Sequence, residues 1–192
     1  MTTTLRQTVV FPVRYLAEHG GRMQVLLARK TRKIGVGLWN GFGGNIKDGE
    51  TIIDAACREL YEETGGLTSI GTAPAGQAGG QFGIRCEKGD LMTLAKVDIA
   101  ILPKNLSLEV YFFSVQDFVG EAIATEEMSD PTWFFIEEIP YGEMLPADRL
   151  FLPNLFRGEI LLGDVTLDQN PAGGDQMIVT RSNFTKASGI SV

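Results

Sequence analysis

Thiol and imidazole are scarce in this chain. Its 192 residues include two cysteines, Cys57 and Cys86, and one histidine, His19. Two cysteines make no disulfide framework, so reduced thiols are expected, as in a cytosolic protein. His19 falls in the turn-like stretch EHGG (18–21) and is assigned no role. Positive charge is also short: 17 Lys and Arg against 24 Asp and Glu leave a formal net charge of −7. That balance argues against binding a nucleic-acid polymer, whose phosphates need a basic face. It does not exclude a small anionic substrate held through a cation. No apolar run approaches the ~20 residues of a membrane span. The opening MTTTLRQTVVFPVRY lacks a charged segment followed by a long apolar one, so no signal peptide is expected. The expectation is a cytoplasmic protein with neither a membrane nor a nucleic-acid polymer as partner, a monomer with a dimer left open.

What is present is an ordinary globular composition, 44% hydrophobic and 21% charged, long enough for one domain over residues 1–192 with a sizeable core. TVVFPVRYL (8–16), weakened by Pro12, and RMQVLLARK (22–30) read as strands joined by a turn, a hairpin. Residues 31–50 are a Gly-rich loop. TIIDAACRELYEET (51–64) is the strongest helix: at ~100° per residue Ile53, Ala56, Cys57, Leu60 and Thr64 share one face. Gly65 and Gly66 supply its stop. Residues 68–91, rich in Gly and Ala, read as an inserted loop or loose hairpin. Strands are expected at 92–102 and 107–115, and from 131 into a turn near 140. A short helix is expected at 146–158 and a terminal hairpin at about 159–184. No internal repeat is apparent. The order gives an α+β sandwich.

RELYEETGG (58–66) raises a question of charge. It crowds Glu59, Glu62 and Glu63 into about one helical turn, where like charges at i,i+4 destabilise by roughly 0.2–0.5 kcal/mol. On the wheel the three cover about 100° beside the apolar face. Their repulsion needs a counter-charge. A hard divalent cation with oxygen ligands supplies one, and Mg²⁺ commonly binds carboxylates together with substrate phosphates. A solvated acidic face is the plain alternative for three glutamates on a helix alone. The loop before the helix alters the balance. Gly43 and Gly44 precede NIKDGE, and glycines let backbone groups approach a metal or phosphate closely.

The full spacing is Gly44, five residues, Glu50, seven residues, then Arg58-Glu59-Leu60-x-Glu62-Glu63-x-Gly65. It resembles the Nudix box of the MutT/Nudix pyrophosphohydrolases. Every fixed polar and glycine position is filled. The departure is Gly66, where the family expects a bulky aliphatic residue; Leu67 follows. The resemblance implies a mixed-sheet α/β/α sandwich carrying a loop–helix–loop. It also implies Mg²⁺, or Mn²⁺, held by Glu59, Glu63 and the Gly43 carbonyl, with Glu62 beside them. Arg58 would orient the carboxylates and Leu60 pack in the core. Glu127 is the remote glutamate that could serve as base or as a further ligand.

Two more segments, GVGLWNGFGG (35–44) and EMSDPTWFFIEEIPYGEMLPADRLFLP (127–153), look like the oxidised-purine nucleoside triphosphate diphosphatases, the branch that includes 8-oxo-dGTP hydrolases. With gaps, the resemblance runs from about Thr8 to Leu167. It implies a nucleotide pocket built from Thr8, Lys30, Ile34, Asn40, Phe42, Gly44, Leu145 and Asp148. Asn40 can both donate to and accept from a purine edge. The branch's Trp-Pro-Asp-Asp wall reads Leu145-Pro146-Ala147-Asp148 here, so the aromatic platform and one carboxylate are replaced. Ile34 also replaces an aromatic. The implied reaction is hydrolysis of a nucleoside triphosphate to the monophosphate and diphosphate. The alternatives are another nucleoside diphosphate derivative, such as ADP-ribose or a dinucleoside polyphosphate, and a Nudix-fold module that senses a nucleotide without cleaving it.

Overall fold

The structure, a computed structural model, describes residues 3–66, 82–172 and 177–192. In chain order the strands and helices are β1 (Thr3–Leu16), β2 (Arg22–Lys30), β3 (Trp39–Asn40), α1 (Ile52–Glu63), β4 (Leu91–Ile101), β5 (Leu106–Val115), β6 (Met128–Phe135), α2 (Asp148–Leu155), β7 (Leu161–Gln169) and β8 (Met177–Lys186). The strands form one sheet in the order β3-β2-β1-β5-β4-β7-β8, with β6 on the remaining edge of β2. β1 pairs with β5, and β4 with β7, in parallel. β2, β5 and β8 run antiparallel to β1, β4 and β7 respectively. The sheet is therefore mixed, as expected.

Alternation along β1 divides the interior into two layers. Val9, Phe11 and Val13 join Phe112, Phe151, Leu152 and Leu155, so α2 packs on that face. Val10 points the other way and joins Leu26, Phe42, Phe113, Ala56 and Leu60 beneath α1. Each large apolar side chain withdrawn from water here contributes roughly 1.5–3 kcal/mol. The result is helix, sheet, helix.

β1 runs five residues earlier than the hydrophobic pattern suggests, and Pro12 lies inside it. The proline is tolerated because of where it falls. Upstream, β1 is bonded to residues 42–46, through Val10 N–H to Phe42 O at 2.7 Å and Thr8 N–H to Gly44 O at 2.9 Å. Downstream, it pairs with β2 only from Val13. Pro12 sits at the changeover between those two neighbours, where a missing N–H interrupts no ladder.

The expected insertion at 68–91 lies partly outside the described residues. Its end, 82–90, docks on residues 119–121 through bridges between Phe82 and Glu121 and between Arg85 and Val119. The departure at Gly66 has a steric reason here: a Cβ on Gly66 would lie 2.4 Å from the Tyr61 ring, and one on Gly83 would lie 2.5 Å from Gly66 Cα. Two chain segments cross there too closely for a side chain. Among the described residues no helix is long and apolar enough to cross a membrane.

Candidate active site

The site is assembled where the Gly41–Glu50 loop passes between β1 and α1. Thr51 starts the helix by accepting the Asp54 N–H at 3.1 Å through its hydroxyl, satisfying one of the unpaired first-turn donors. From there α1 presents Glu59, Glu62 and Glu63 toward the loop. The loop has to come very close. A Cβ on Gly43 would lie 1.9 Å from the Thr8 carbonyl oxygen, and one on Gly44 would lie 2.7 Å from the Glu59 carboxyl. Only glycine at both positions lets the backbone slide between strand and acids. The Gly43 N–H donates to Glu63 Oε2 at 2.7 Å. The Gly43 carbonyl receives no hydrogen bond from the described residues.

Arg58 answers part of the charge question. Its Nε and one terminal nitrogen grip both Glu50 oxygens, at 2.7 and 2.8 Å. The other terminal nitrogen reaches Glu59 at 2.7 Å and Glu62 at 3.2 Å. The Asn45 carbonyl accepts a further bond at 3.1 Å. This planar fork suits carboxylates better than an ammonium would. Its hydrogen bonds hold Glu50 below the usual carboxylate range, and Glu50 in turn raises the Arg58 value further.

Glu63 is different. It is 5% exposed, and burial pushes it up to about 7, with Glu59 and Glu127 adding and Lys30 and the Gly43 N–H opposing. Lys30, at the end of β2, is thus a cation Glu63 feels, and Arg32 also interacts with it. Glu127 stands on the other side, paired to Arg32, and to Lys33 at 3.1 Å. Those hydrogen bonds, Arg32 first, hold it down at about 2. As placed, Glu127 is a poor proton acceptor, which counts against its use as base.

Do these residues fit a hard cation? Their donor atoms are all oxygens, from carboxylates and one backbone carbonyl, the set that Mg²⁺ takes. Among the described residues, no three acidic, histidine or cysteine side chains stand in an arrangement that could hold an ion. Arg58 lies between Glu59 and Glu62 and supplies positive charge there. The three glutamates share one helix face, so side-chain rotation, without backbone movement, can converge them beside Gly43. The donor set fits the implied ion.

The nucleotide pocket implied by sequence is only partly gathered. A cavity of about 660 Å³ lies beyond the 31–38 loop, lined by Ile34, Leu145, Tyr141, Met144, Arg149 and Val179 among others. Of the implied pocket residues, Ile34 and Leu145 line this cavity; Thr8, Lys30, Asn40, Phe42, Gly44 and Asp148 are not among its lining residues. Phe42 needs correction. It is wholly buried between sheet and α1 and has no surface to offer a base. Thr8 is wholly buried too, and its hydroxyl is the one buried side-chain polar atom without a partner among the described residues. Asn40 is half-buried, and its side-chain oxygen accepts the Gly41 N–H at 3.0 Å, a local turn bond. Asp148 opens α2 and is buried, which pushes it up to about 7 against the Leu145 backbone. Ala147 is buried beside it. Among the described residues no carboxylate lines the cavity. Sequence reasoning missed Tyr141, Met144, Arg149 and the β8 residues Met177–Val179, which also line it. The β7–β8 hairpin was expected, but the parallel β4–β7 pair that docks it on the sheet and so places β8 there has no local signal in the sequence.

Comparison with known proteins adds three findings. The NUDIX domain family model matches residues 6–155. The oxidized purine nucleoside triphosphate hydrolases of Danio rerio and Mus musculus are each 32% identical over 140 residues, 73% of this chain and 76% of theirs. The crystal structure of a MutT protein from Bacillus halodurans superposes with a TM-score of 0.63 at 20% identity, covering 94% of this chain and 97% of that one. At that identity it speaks to fold alone.

Proposed function

The chain belongs to the Nudix family, and on that premise we propose that it hydrolyses a nucleoside triphosphate to the monophosphate and diphosphate with Mg²⁺, an oxidised purine nucleotide being the preferred substrate. The observation that carries the hydrolytic reading is the close seating of Gly43 and Gly44 against Thr8, Glu59 and Glu63. That seating brings hard oxygen donors within side-chain rotation of one point. The relatives' names support the substrate.

A bound divalent cation supplies positive charge against the diphosphate oxygens. Glu59, Glu63 and the Gly43 carbonyl would hold it. Arg58 fixes the direction of Glu59, and Glu50 fixes Arg58. Lys30 adds positive charge on the phosphate side. Water attacks one phosphorus in line and the diphosphate departs. Glu62 is the carboxylate left to take the water's proton, since only a 3.2 Å contact to Arg58 engages it. The mostly apolar cavity would give a flat base room, with Ile34 and Leu145 in its wall.

The test is a comparison of kcat/KM for 8-oxo-dGTP, dGTP, a pyrimidine triphosphate and ADP-ribose, with products separated by ion exchange. Highest efficiency on 8-oxo-dGTP with release of diphosphate is expected. Preference for ADP-ribose would overturn the substrate, and tight nucleotide binding without Mg²⁺-dependent turnover would overturn the reaction.

A further inference from the structure

The two cysteines, far apart in sequence, meet in space. Cys57 Sγ and Cys86 Sγ lie 3.8 Å apart across 29 residues of sequence, each half-buried. The meeting is not a chance approach of two loose side chains. On α1 and its C-terminal cap, Cys57, Tyr61 and Thr64 fall within about 60° of one another at ~100° per residue. They face residues 86, 85 and 84 in that order. The Ile84 N–H donates to Thr64 Oγ1 at 2.7 Å. The Arg85 guanidinium sits 4.3 Å from the Tyr61 ring centroid and hydrogen-bonds its hydroxyl. Gly83 then crosses Gly66. Each rung fixes the register of the next, so the thiol pair is held in contact by packing above and below it. A disulfide needs the sulfurs to close to about 2.05 Å. Rotation about the two Cα–Cβ bonds can supply most of that movement.

We propose that Cys57 and Cys86 are a reversible oxidation site, forming an intramolecular disulfide that ties α1 to the 82–86 segment when the protein meets a hydroperoxide. One thiol gives its electron pair to the hydroperoxide oxygen, forming a sulfenic acid and releasing the alcohol, or water from hydrogen peroxide. The other thiol then attacks that sulfur, the S–S bond forms and water leaves. Two thiols lose two electrons and two protons, and the peroxide is reduced by the same two electrons. The bond would lie across the helix from Glu59, Glu62 and Glu63, which fall about 140–240° from Cys57 on the wheel. Oxidation is therefore expected to brace the helix without moving its acidic face.

The experiment treats the whole protein with hydrogen peroxide, blocks remaining thiols with a maleimide, and reads intact mass, a peptide map, thermal unfolding and turnover. Both thiols should disappear together, with a 57–86 linkage in the monomer that dithiothreitol reverses. The unfolding midpoint should rise by roughly 5–10 °C, because the bridge constrains the unfolded chain. Neither Cys57→Ser nor Cys86→Ser should show the rise. Turnover of the oxidised protein should stay within about twofold, given the opposite placement of the acids. Independent loss of one thiol, a bridge between two molecules, or oxidation past the sulfenic stage without a bridge would overturn the proposal. So would a midpoint rise that persists in either serine variant. The thiol and unfolding readouts do not depend on knowing the substrate.

Discussion

Asp148 offers a test that works through stability alone. It is 6% exposed, and burial raises it to about 7, whereas an aspartate in an unfolded chain titrates near 3.9. A gap of about three pH units at 1.36 kcal/mol each is worth about 4 kcal/mol. The N-terminal end of α2 works in the other direction. Asp148 is its first residue, and a helix N-terminus can favour a negative charge by up to about 2 kcal/mol. The net penalty for ionising Asp148 in the folded protein is then about 2–4 kcal/mol. The sign follows from proton counting. Between pH ~4 and ~7 the folded state keeps a proton that the unfolded state has released, so this contribution falls as pH rises through that window. It is fully present below the unfolded value and gone above the folded one.

Asp148→Asn replaces the protonated carboxyl with a neutral group of the same shape and removes the titration. Urea unfolding of both proteins from pH 4.5 to 8.5, with free energies from linear extrapolation, isolates it as a difference. At pH 8 the asparagine variant should have gained about 2–4 kcal/mol on wild type relative to the acid end. A difference that stays constant across the range would mean that Asp148 ionises normally, and the reasoning from burial would be wrong.

Glu63→Gln should keep the fold, since the amide oxygen can still accept the Gly43 N–H, and should lose nearly all turnover; a kcat near wild type would remove Glu63 from the ligand set. Gly44→Ala places a Cβ 2.7 Å from the Glu59 carboxyl, so kcat/KM should fall by roughly 10²-fold with little change in melting, as expected for a misplaced functional group. Arg58→Met strips the counter-charge from Glu50 and Glu59 and should destabilise by roughly 1–3 kcal/mol, with Lys restoring only part because it cannot grip bidentately; urea midpoints decide. Exhaustive chelation should abolish hydrolysis and added Mg²⁺ should restore it, and full activity in the chelated protein would sink the metal assignment.

Much of the fold was legible because its signals are local. Thr51 before an apolar-periodic run, and Gly65 after it, bound α1 to within a residue of its observed limits. The strands of β2, β4 and β5 follow their apolar runs closely. β1 was read five residues short because Thr3 to Gln7 are not a hydrophobic stretch. They become strand through parallel pairing with β5 and through the backbone of the 42–46 loop, neither visible in a window of sequence. The Gly66 departure follows from contact with the Tyr61 ring, at a point where Gly83, seventeen residues on, also passes too closely for a Cβ.

The same distinction separates the two halves of the site. Charges that act together in the box lie within a helical turn and the loop leading into it, so their spacing carries their geometry. Even there the sequence could not say that Arg58 would serve three glutamates at once, nor that Glu63 would be buried and Glu127 held by two cations. The cavity has no such local code. Its wall comes from the 33–38 loop, the 103–104 turn, residues 141–149 and β8, brought together by the parallel β4–β7 pair and the hairpin built on it. A pocket read from matched positions therefore included Phe42, a core residue, and omitted β8 altogether. That wall, a mostly apolar lining with Lys33, Lys104 and Arg149, is where distant segments meet, and no local spacing in the sequence records it.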